Sequence, residues 1–218
     1  MKYYIFKNVY IFKKEFFKSL FIQLFALVLF LFIDYKLLST IRTNDFKLYL
    51  GLMSFQDCSS FEIIIKLIFI FNVINITYKI YLSYISYGSS NILLRMNSKN
   101  IFLYSFISCF MFTLMLRITY FIIFFLILNK YLNFNFELLY ILFYDLIYYF
   151  LFSILSILFI NIICSKNAVF IILPIVIFIT CLFYNLNILV MIIVIILLSF
   201  INYLIFKPSY IYNFYFKK

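Results

Sequence analysis

Long apolar stretches alternate with short polar segments along this chain, and the pattern predicts membrane-spanning helices. A helix needs roughly 20 apolar residues to cross a bilayer, and several stretches reach that length. They lack the apolar/polar alternation that is typical of an outer-membrane barrel. We therefore predict an all-α integral membrane protein with a single transmembrane domain at 19–206. Its six predicted spans are Ser19 to Ile33 or Leu38, Glu62 to Tyr84, 101–128, 137–164, Ala168 to Phe183, and 188–206.

Residues 1–18, which precede the first predicted span, have the pattern of a separate amphipathic helix. On a helix their apolar side chains form one stripe, and Lys7, Lys14 and Lys18 lie on the other side. This layout is typical of a helix that lies in the membrane interface with its lysines towards anionic headgroups. The alternative is a merely basic N-terminal flank.

Composition supports the membrane class. Hydrophobic residues make up 68% of the chain and charged residues 11%, with a mean hydropathy of +1.16. Soluble domains have about 45 to 50% apolar and about 25% charged residues. The net charge of +11 would suggest nucleic acid in a soluble protein. Here the positive charges flank the apolar stretches, so we expect the lipid bilayer as the partner and no nucleic acid.

The distribution of positive charge predicts the orientation in the membrane. Six spans place both termini on one side. Of the 18 lysine and arginine residues, Arg117 lies inside a span and 12 lie on the side of the termini. The other side carries five, namely Lys36, Arg42, Lys47, Lys66 and Lys130. By the positive-inside rule, both termini and the basic tail at 207–218 are cytoplasmic, in a multi-pass protein of the plasma membrane.

Two groups of polar residues lie in and after the second span. Four of them recur at helical spacing and share one face of the span: Asn72, Asn75, Lys79 and Ser83. Such a stripe faces other helices or, alternatively, lines a water-filled path. The polar, basic segment at 84–100 follows, and the charge distribution places it in the cytoplasm.

Arg117 and Asp145 stand out because they lie deep within the third and fourth spans. An isolated charge at mid-span costs on the order of 2.5 to 3.5 kcal/mol, so a pair is expected. Helical rise places the two residues at the same level in antiparallel helices. The facing pairs predicted from this register are Thr113 with Tyr149 and Cys109 with Ser153. The alternatives to a structural ion pair are a charge on a substrate path and an arginine that snorkels to the outer interface.

The sequence argues against several chemistries. It has no histidine for a metal site or catalytic triad, and its two glycines cannot build a glycine-rich phosphate loop. Its four cysteines form no C-x-x-C pattern. We therefore expect no enzymatic activity, cofactor or metal. Two classes remain: the membrane subunit of a powered transporter, and a non-transporting membrane protein that binds a partner, such as a bacteriocin-immunity protein.

Residues 87–100 read Tyr-Gly-Ser-Ser-Asn-Ile-Leu-Leu-Arg-Met-Asn-Ser-Lys-Asn. With the basic N-terminal helix and the six spans, this segment resembles the permease subunits of ATP-binding-cassette exporters of the drug, polysaccharide and bacteriocin-immunity kind. The resemblance implies a coupling helix that docks on a separate cytoplasmic ATPase, and a dimer with a second or related permease. The residues that match the docking pattern are Gly88, Leu93, Leu94, Arg95 and Lys99.

The chain departs from many of these exporters between its last two predicted spans. Only Tyr184 to Asn187 separates those spans, whereas many exporters of that family carry a re-entrant helical pair there. The departure favours export of a small molecule or peptide over a large lipid-linked glycan. It also keeps the binding or immunity alternative open.

Overall fold

The computed structural model describes five helices and a few residues between them. The helices are α1 (Lys2–Ile33), α2 (Ser60–Tyr87), α3 (Ser98–Leu128), α4 (Phe136–Ile163) and α5 (Ile188–Ile205). The described residues are 2–33, 50, 52, 60–87, 98–128, 136–163, 171, 174–175 and 187–206. Within these residues the regular structure is entirely helical, so the all-α prediction is confirmed there.

Four of the helices contain stretches that are long and apolar enough to cross a membrane, which supports a multi-pass membrane protein. These stretches are Glu62–Ser83, Asn100–Ile127, Leu138–Ile163 and Ile188–Ile205. They coincide with the second, third, fourth and sixth predicted spans. The fifth predicted span, Ala168 to Phe183, lies almost entirely outside the described residues. The count of six spans therefore stays a prediction.

α1 joins two segments that the sequence pattern had divided. The predicted interfacial helix at 1–18 and the span beginning at Ser19 form one helix of 32 residues. This stretch contains no glycine or proline, so the backbone has no reason to break after Lys18. At ~1.5 Å per residue, α1 is about 48 Å long, well above the ~30 Å of a hydrocarbon core. α1 is not among the four candidate spans.

α1 to α4 pack together as a bundle, and α5 packs against α4. α1 runs antiparallel to α2, and α3 runs antiparallel to α4. α4 and α5 run parallel, with Asn161 near the end of α4 bonded to Asn202 near the end of α5. Ile163 and Ile188 therefore lie at opposite ends of the bundle. This arrangement is compatible with the predicted fifth span between them.

Local sequence explains where α5 begins and ends. The side chain of Asn187 accepts a hydrogen bond from the backbone N–H of Leu189 at 3.3 Å, so Asn187 caps the first turn. The last helical residue, Ile205, is followed by Phe206 in extended backbone. Pro208 comes two residues later in the sequence and cannot continue a helix.

Large side chains fill the core of the bundle. The fully buried ones include Phe69, Phe112, Phe124 and Phe152, and the rings of Phe12 and Phe112 meet edge to face at 4.6 Å. In a bilayer the lipid is as apolar as this core, so helices gain little hydrophobic energy by associating. Close packing and hydrogen bonds between helices must therefore hold the bundle together, which directs attention to its buried polar groups.

Candidate functional site in the bundle core

The centre of the bundle holds a fully buried ion pair between α3 and α4. Arg117 Nε donates to Asp145 Oδ2 at 2.9 Å, and Nη2 donates to Oδ1 at 2.5 Å. Both side chains are 0% exposed. The two parallel bonds match the planar guanidinium to the planar carboxylate, a strong and directional arrangement. The structure thus brings together the two charges that the sequence singled out.

Side chains from all four helices of the bundle complete the surroundings of Arg117. Its Nη1 donates to Gln23 Oε1 of α1 at 3.4 Å, which is a long hydrogen bond. The guanidinium carbon lies 3.9 Å from the ring centre of Tyr149 and 5.0 Å from that of Tyr120. A third ring, that of Phe69, is 5.5 Å away. Such ring faces attract a cation, so the aromatic residues replace part of its lost hydration.

The connection between α1 and α2 enters this site at Leu50. Both Arg117 Nη2 and the hydroxyl of Tyr149 donate to the backbone carbonyl of Leu50, at 3.2 and 3.0 Å. Leu50 and Leu52 are buried. The six-span prediction places residues 39–60 in the largest polar connection, on the side opposite the termini, and these two leucines of it are buried in the bundle. A buried carbonyl needs donors, and the two side chains supply them.

A cluster of hydroxyls lies beside the ion pair. Thr113 Oγ1 and Ser153 Oγ are 2.9 Å apart, and Thr77 of α2 donates to Ser153 Oγ at 3.2 Å. The predicted pairing of Thr113 with Tyr149 and of Cys109 with Ser153 is therefore not the observed one. The Cys109 thiol is directed instead at the backbone oxygen of Thr77, at 4.0 Å.

Side-chain direction explains this difference in register. A helical side chain leans towards the N-terminus of its own helix, so side chains on antiparallel helices lean in opposite directions. Thr113 leans towards the start of α3 and Ser153 towards the start of α4, which lets their hydroxyls meet. The prediction compared the heights of backbone positions only.

The polar stripe of α2 turns partly towards α1. Asn72 exchanges two hydrogen bonds of 3.0 Å with Ser19, one with its hydroxyl and one with its carbonyl. Lys79 forms an ion pair of 3.0 Å with Glu15. Ser83 donates to the carbonyl of Ile80 in its own helix, and Asn75 is half-buried. For Asn72 and Lys79 the structure favours the helix-packing interpretation over a water-lined path.

Two further polar features escaped the sequence interpretation. Lys66, counted on the outer flank, is buried in α2 with its Nζ 5.9 Å from the ring centre of Tyr148. Arg117 and Asp145 are therefore not the only charged residues deep in the bundle. Asn161 accepts from the Tyr81 hydroxyl at 2.7 Å and donates to Asn202 at 3.2 Å, linking three helices. The signal was present, because an asparagine within an apolar run needs a partner.

The predicted ATPase-docking residues lie mostly outside the described residues. This applies to Gly88, Leu93, Leu94 and Arg95. Lys99 falls in the first turn of α3, which begins at Ser98 and not at residue 101 as predicted. Among the residues that the structure describes, no group of histidine, cysteine or acidic side chains could hold a metal.

Burial and pairing define what the core site can do. Arg117 and Asp145 neutralise each other and have no exposed surface, so they hold α3 against α4 and fix the chain at Leu50. Comparisons with protein-family models, with curated proteins and with solved structures return no match to this chain. The sequence and structure together therefore show an all-helical candidate membrane protein with several spans, and no family is identified.

Proposed function

We propose that this chain is the membrane-spanning permease subunit of an ATP-binding-cassette exporter, moving a small molecule or peptide with ATP that a separate cytoplasmic subunit hydrolyses. The observation that best supports the proposal is the pairing of Glu15 with Lys79. It packs the basic N-terminal part of α1 against the C-terminal part of α2. The segment at 88–97, which follows α2, therefore begins at the same end of the bundle as the N-terminal lysines.

In this proposal the segment at 86–100 binds the ATPase. Leu93 and Leu94 fill an apolar groove on that partner, as buried anchors do in most interfaces. Arg95 and Lys99 contribute rim contacts, which affect the encounter rate and its salt dependence more than the final affinity. Gly88 permits a tight turn out of α2.

The buried ion pair has a scaffold role in this proposal. The centre of the bundle is occupied by fully buried side chains, including Arg117, Tyr149 and Phe152. A substrate path therefore fits better between two permease subunits than through the middle of one. This supports a working unit of two permeases with their ATPases.

Co-purification tests the docking step. Replacing Leu93 and Leu94 with Asp should abolish capture of an ATPase while the protein remains in the membrane, because a groove for leucine cannot accept a charge. The matched control replaces Ser89 and Ser90 with Asp, which adds the same charge to the same segment and should preserve capture. If both variants retain the ATPase equally, this segment is not the docking site.

The second candidate is a non-transporting membrane protein that binds a partner, such as a bacteriocin-immunity protein. The closed, paired core at Arg117 and Asp145 favours it, since a static binder needs no path. The neighbouring reading frames discriminate between the two. An adjacent gene for an ATPase, and its capture by the wild-type protein, support the permease. Absence of both supports the binder.

A further inference from the structure

One face of α1 carries basic and apolar groups in a fixed order, outside the core site. Lys13, Lys14 and Lys18 are exposed on it. Below them in the helix, Phe17, Phe21 and Phe25 follow at intervals of four residues with 58%, 70% and 56% of their surface exposed. Residues four apart lie on the same side of a helix, so the three rings form a continuous apolar strip beneath the lysines.

The opposite face of α1 is occupied by its neighbours. Phe16 packs on Phe112, Ser19 bonds Asn72, and Gln23 lies against the core site. Glu15 is the sole acidic residue of α1, and it is directed at Lys79 on this inner face. The outer face of residues 12–29 therefore carries three positive charges and no negative charge.

The dimensions of this strip match one leaflet of a bilayer. From Lys14 to Phe25 the helix rises about 17 Å, close to half of the ~30 Å hydrocarbon core. The lysine side chains lean towards the N-terminus of α1, away from the rings, so Lys18 can bring its ammonium group up to the level of Lys14. α1 packs along α2, itself a candidate span. In a bilayer crossed by α2, the rings of α1 would therefore contact the same hydrocarbon as the outer face of α2.

We propose that this face of α1 binds an anionic phospholipid. The phosphate group lies against Lys13, Lys14 and Lys18, and one acyl chain lies along Phe17, Phe21 and Phe25. Charge complementarity selects the headgroup, and the apolar strip selects a lipid over a free anion. The sequence pattern had predicted a helix lying flat in the interface. In the structure two of the lysines in that prediction, Lys14 and Lys18, stand together with Lys13 at the end of an apolar strip, which makes them a site for a single lipid.

The test compares lipid retention by the purified full-length protein. The probes are phosphatidylglycerol, which is anionic, and phosphatidylcholine, which is zwitterionic, with identical acyl chains. Native mass spectrometry counts the lipids bound at equal concentration. We expect the wild-type protein to bind more phosphatidylglycerol than phosphatidylcholine. In the variant with Lys13→Gln, Lys14→Gln and Lys18→Gln, the ratio of bound phosphatidylglycerol to bound phosphatidylcholine should fall at least about fivefold, because one lysine near an anionic surface contributes about that factor.

Two control variants separate binding from folding and from overall charge. Lys207→Gln, Lys217→Gln and Lys218→Gln removes the same number of charges from the C-terminal tail and should keep the preference. Replacing Lys13, Lys14 and Lys18 with Arg retains the charges and should also keep it. A single symmetric size-exclusion peak checks the fold of each variant.

Several results would overturn the proposal. One is equal retention of the two lipids by the wild-type protein, and another is equal loss in the tail variant. Complete displacement of phosphatidylglycerol by inorganic phosphate would assign the lysines to a free anion. A fourth result concerns a second copy of the chain. If two copies of a Phe21→Cys variant form a disulfide efficiently, and if replacing the lysines leaves the protein a dimer, this face binds a second copy and not a lipid.

Discussion

The guanidinium of Arg117 is fully buried, so its neighbours must replace the interactions with water that it has lost. Asp145 supplies the opposite charge, the Leu50 carbonyl accepts a further bond, and three aromatic rings surround the guanidinium. A buried pair of this kind need not stabilise a protein more than a matched apolar pair would. Removing one partner is different, because it leaves the other charge buried and unpaired.

The first prediction follows from this asymmetry. Arg117→Leu or Asp145→Leu alone should reduce the free energy of unfolding by about 3 to 5 kcal/mol, because each leaves an uncompensated buried charge. The double replacement should recover part of the loss. The measurement is the folded yield in detergent, followed by thermal unfolding. Strictly additive losses would contradict a direct interaction between the two side chains.

The second prediction separates the hydroxyl of Tyr149 from its ring. Tyr149→Phe keeps the ring against Arg117 and removes one donor to the Leu50 carbonyl, so it should cost about 1 kcal/mol of stability. Tyr149→Leu removes both and should cost more. Gln23→Leu is the matched control on α1, because its bond to Arg117 is long and its Nε2 has no hydrogen-bond partner among the described residues. It should change thermal stability less than Tyr149→Phe does.

At the residue scale, charge was easier to predict than backbone position. Arg117 and Asp145 could be paired from the sequence because two opposite charges in apolar stretches need each other. Leu50 could not, because its role depends on a backbone carbonyl that any residue would present. Its alternation with Leu48 and Leu52 in a polar connection was the available signal. Lys66 was missed because a lysine near a helix end was assumed to reach water.

At the scale of the helices, the hydrophobic pattern predicted which helices are present better than it predicted where each begins and ends. Four helices coincide with predicted spans because long apolar stretches admit few other structures in a bilayer. The division of α1 at Lys18 followed composition, whereas helix continuity depends on backbone breakers, which that stretch lacks. The pairs of side chains that meet between α3 and α4 depend on the direction in which each side chain leans. The rise of the backbone along the helix axis, which the prediction used, does not include that direction.

The third prediction tests the register between α3 and α4. In a background without native cysteines, Thr113→Cys with Ser153→Cys should form a disulfide under mild oxidation, because the two hydroxyl oxygens are 2.9 Å apart. The control keeps Cys109 and adds Ser153→Cys, the pair expected from backbone height alone. It should crosslink less, since the Cys109 thiol is directed at α2. The reverse order of yields would restore the predicted register. The measurement is a non-reducing gel of a protein with a protease site between α3 and α4. After cleavage, the two fragments stay together only if the disulfide has formed.

At the scale of the whole molecule, the orientation in the membrane rests on the distribution of lysine and arginine. The structure changes the count in one respect, because Lys66 is buried among helices and does not sit on a water-facing flank. Without it the outer set falls from five to four against 12 on the side of the termini. The bias that the positive-inside rule uses is therefore slightly larger than the sequence suggested.

The last prediction places the two ends of the bundle in the cell. If the basic side is cytoplasmic, a cysteine at Ser90 should react with a membrane-impermeant thiol reagent only after the cells are opened. A cysteine at Ser54 should react in intact cells, because the connection to which it belongs joins the end of α1 at Ile33 to the start of α2 at Ser60, the ends opposite the N-terminal lysines. Both variants are made without the native cysteines, so each reports one position.

A third position tests the same orientation. α1 and α2 are antiparallel, and Glu15 contacts Lys79 near the end of α2. A cysteine at Lys2 should therefore behave like the one at Ser90. Labelling of Ser90 and Ser54 from the same side would contradict this arrangement. If Ser90 is labelled in intact cells and Ser54 only in opened cells, the orientation is the reverse of the predicted one, and a cytoplasmic ATPase cannot reach the docking segment.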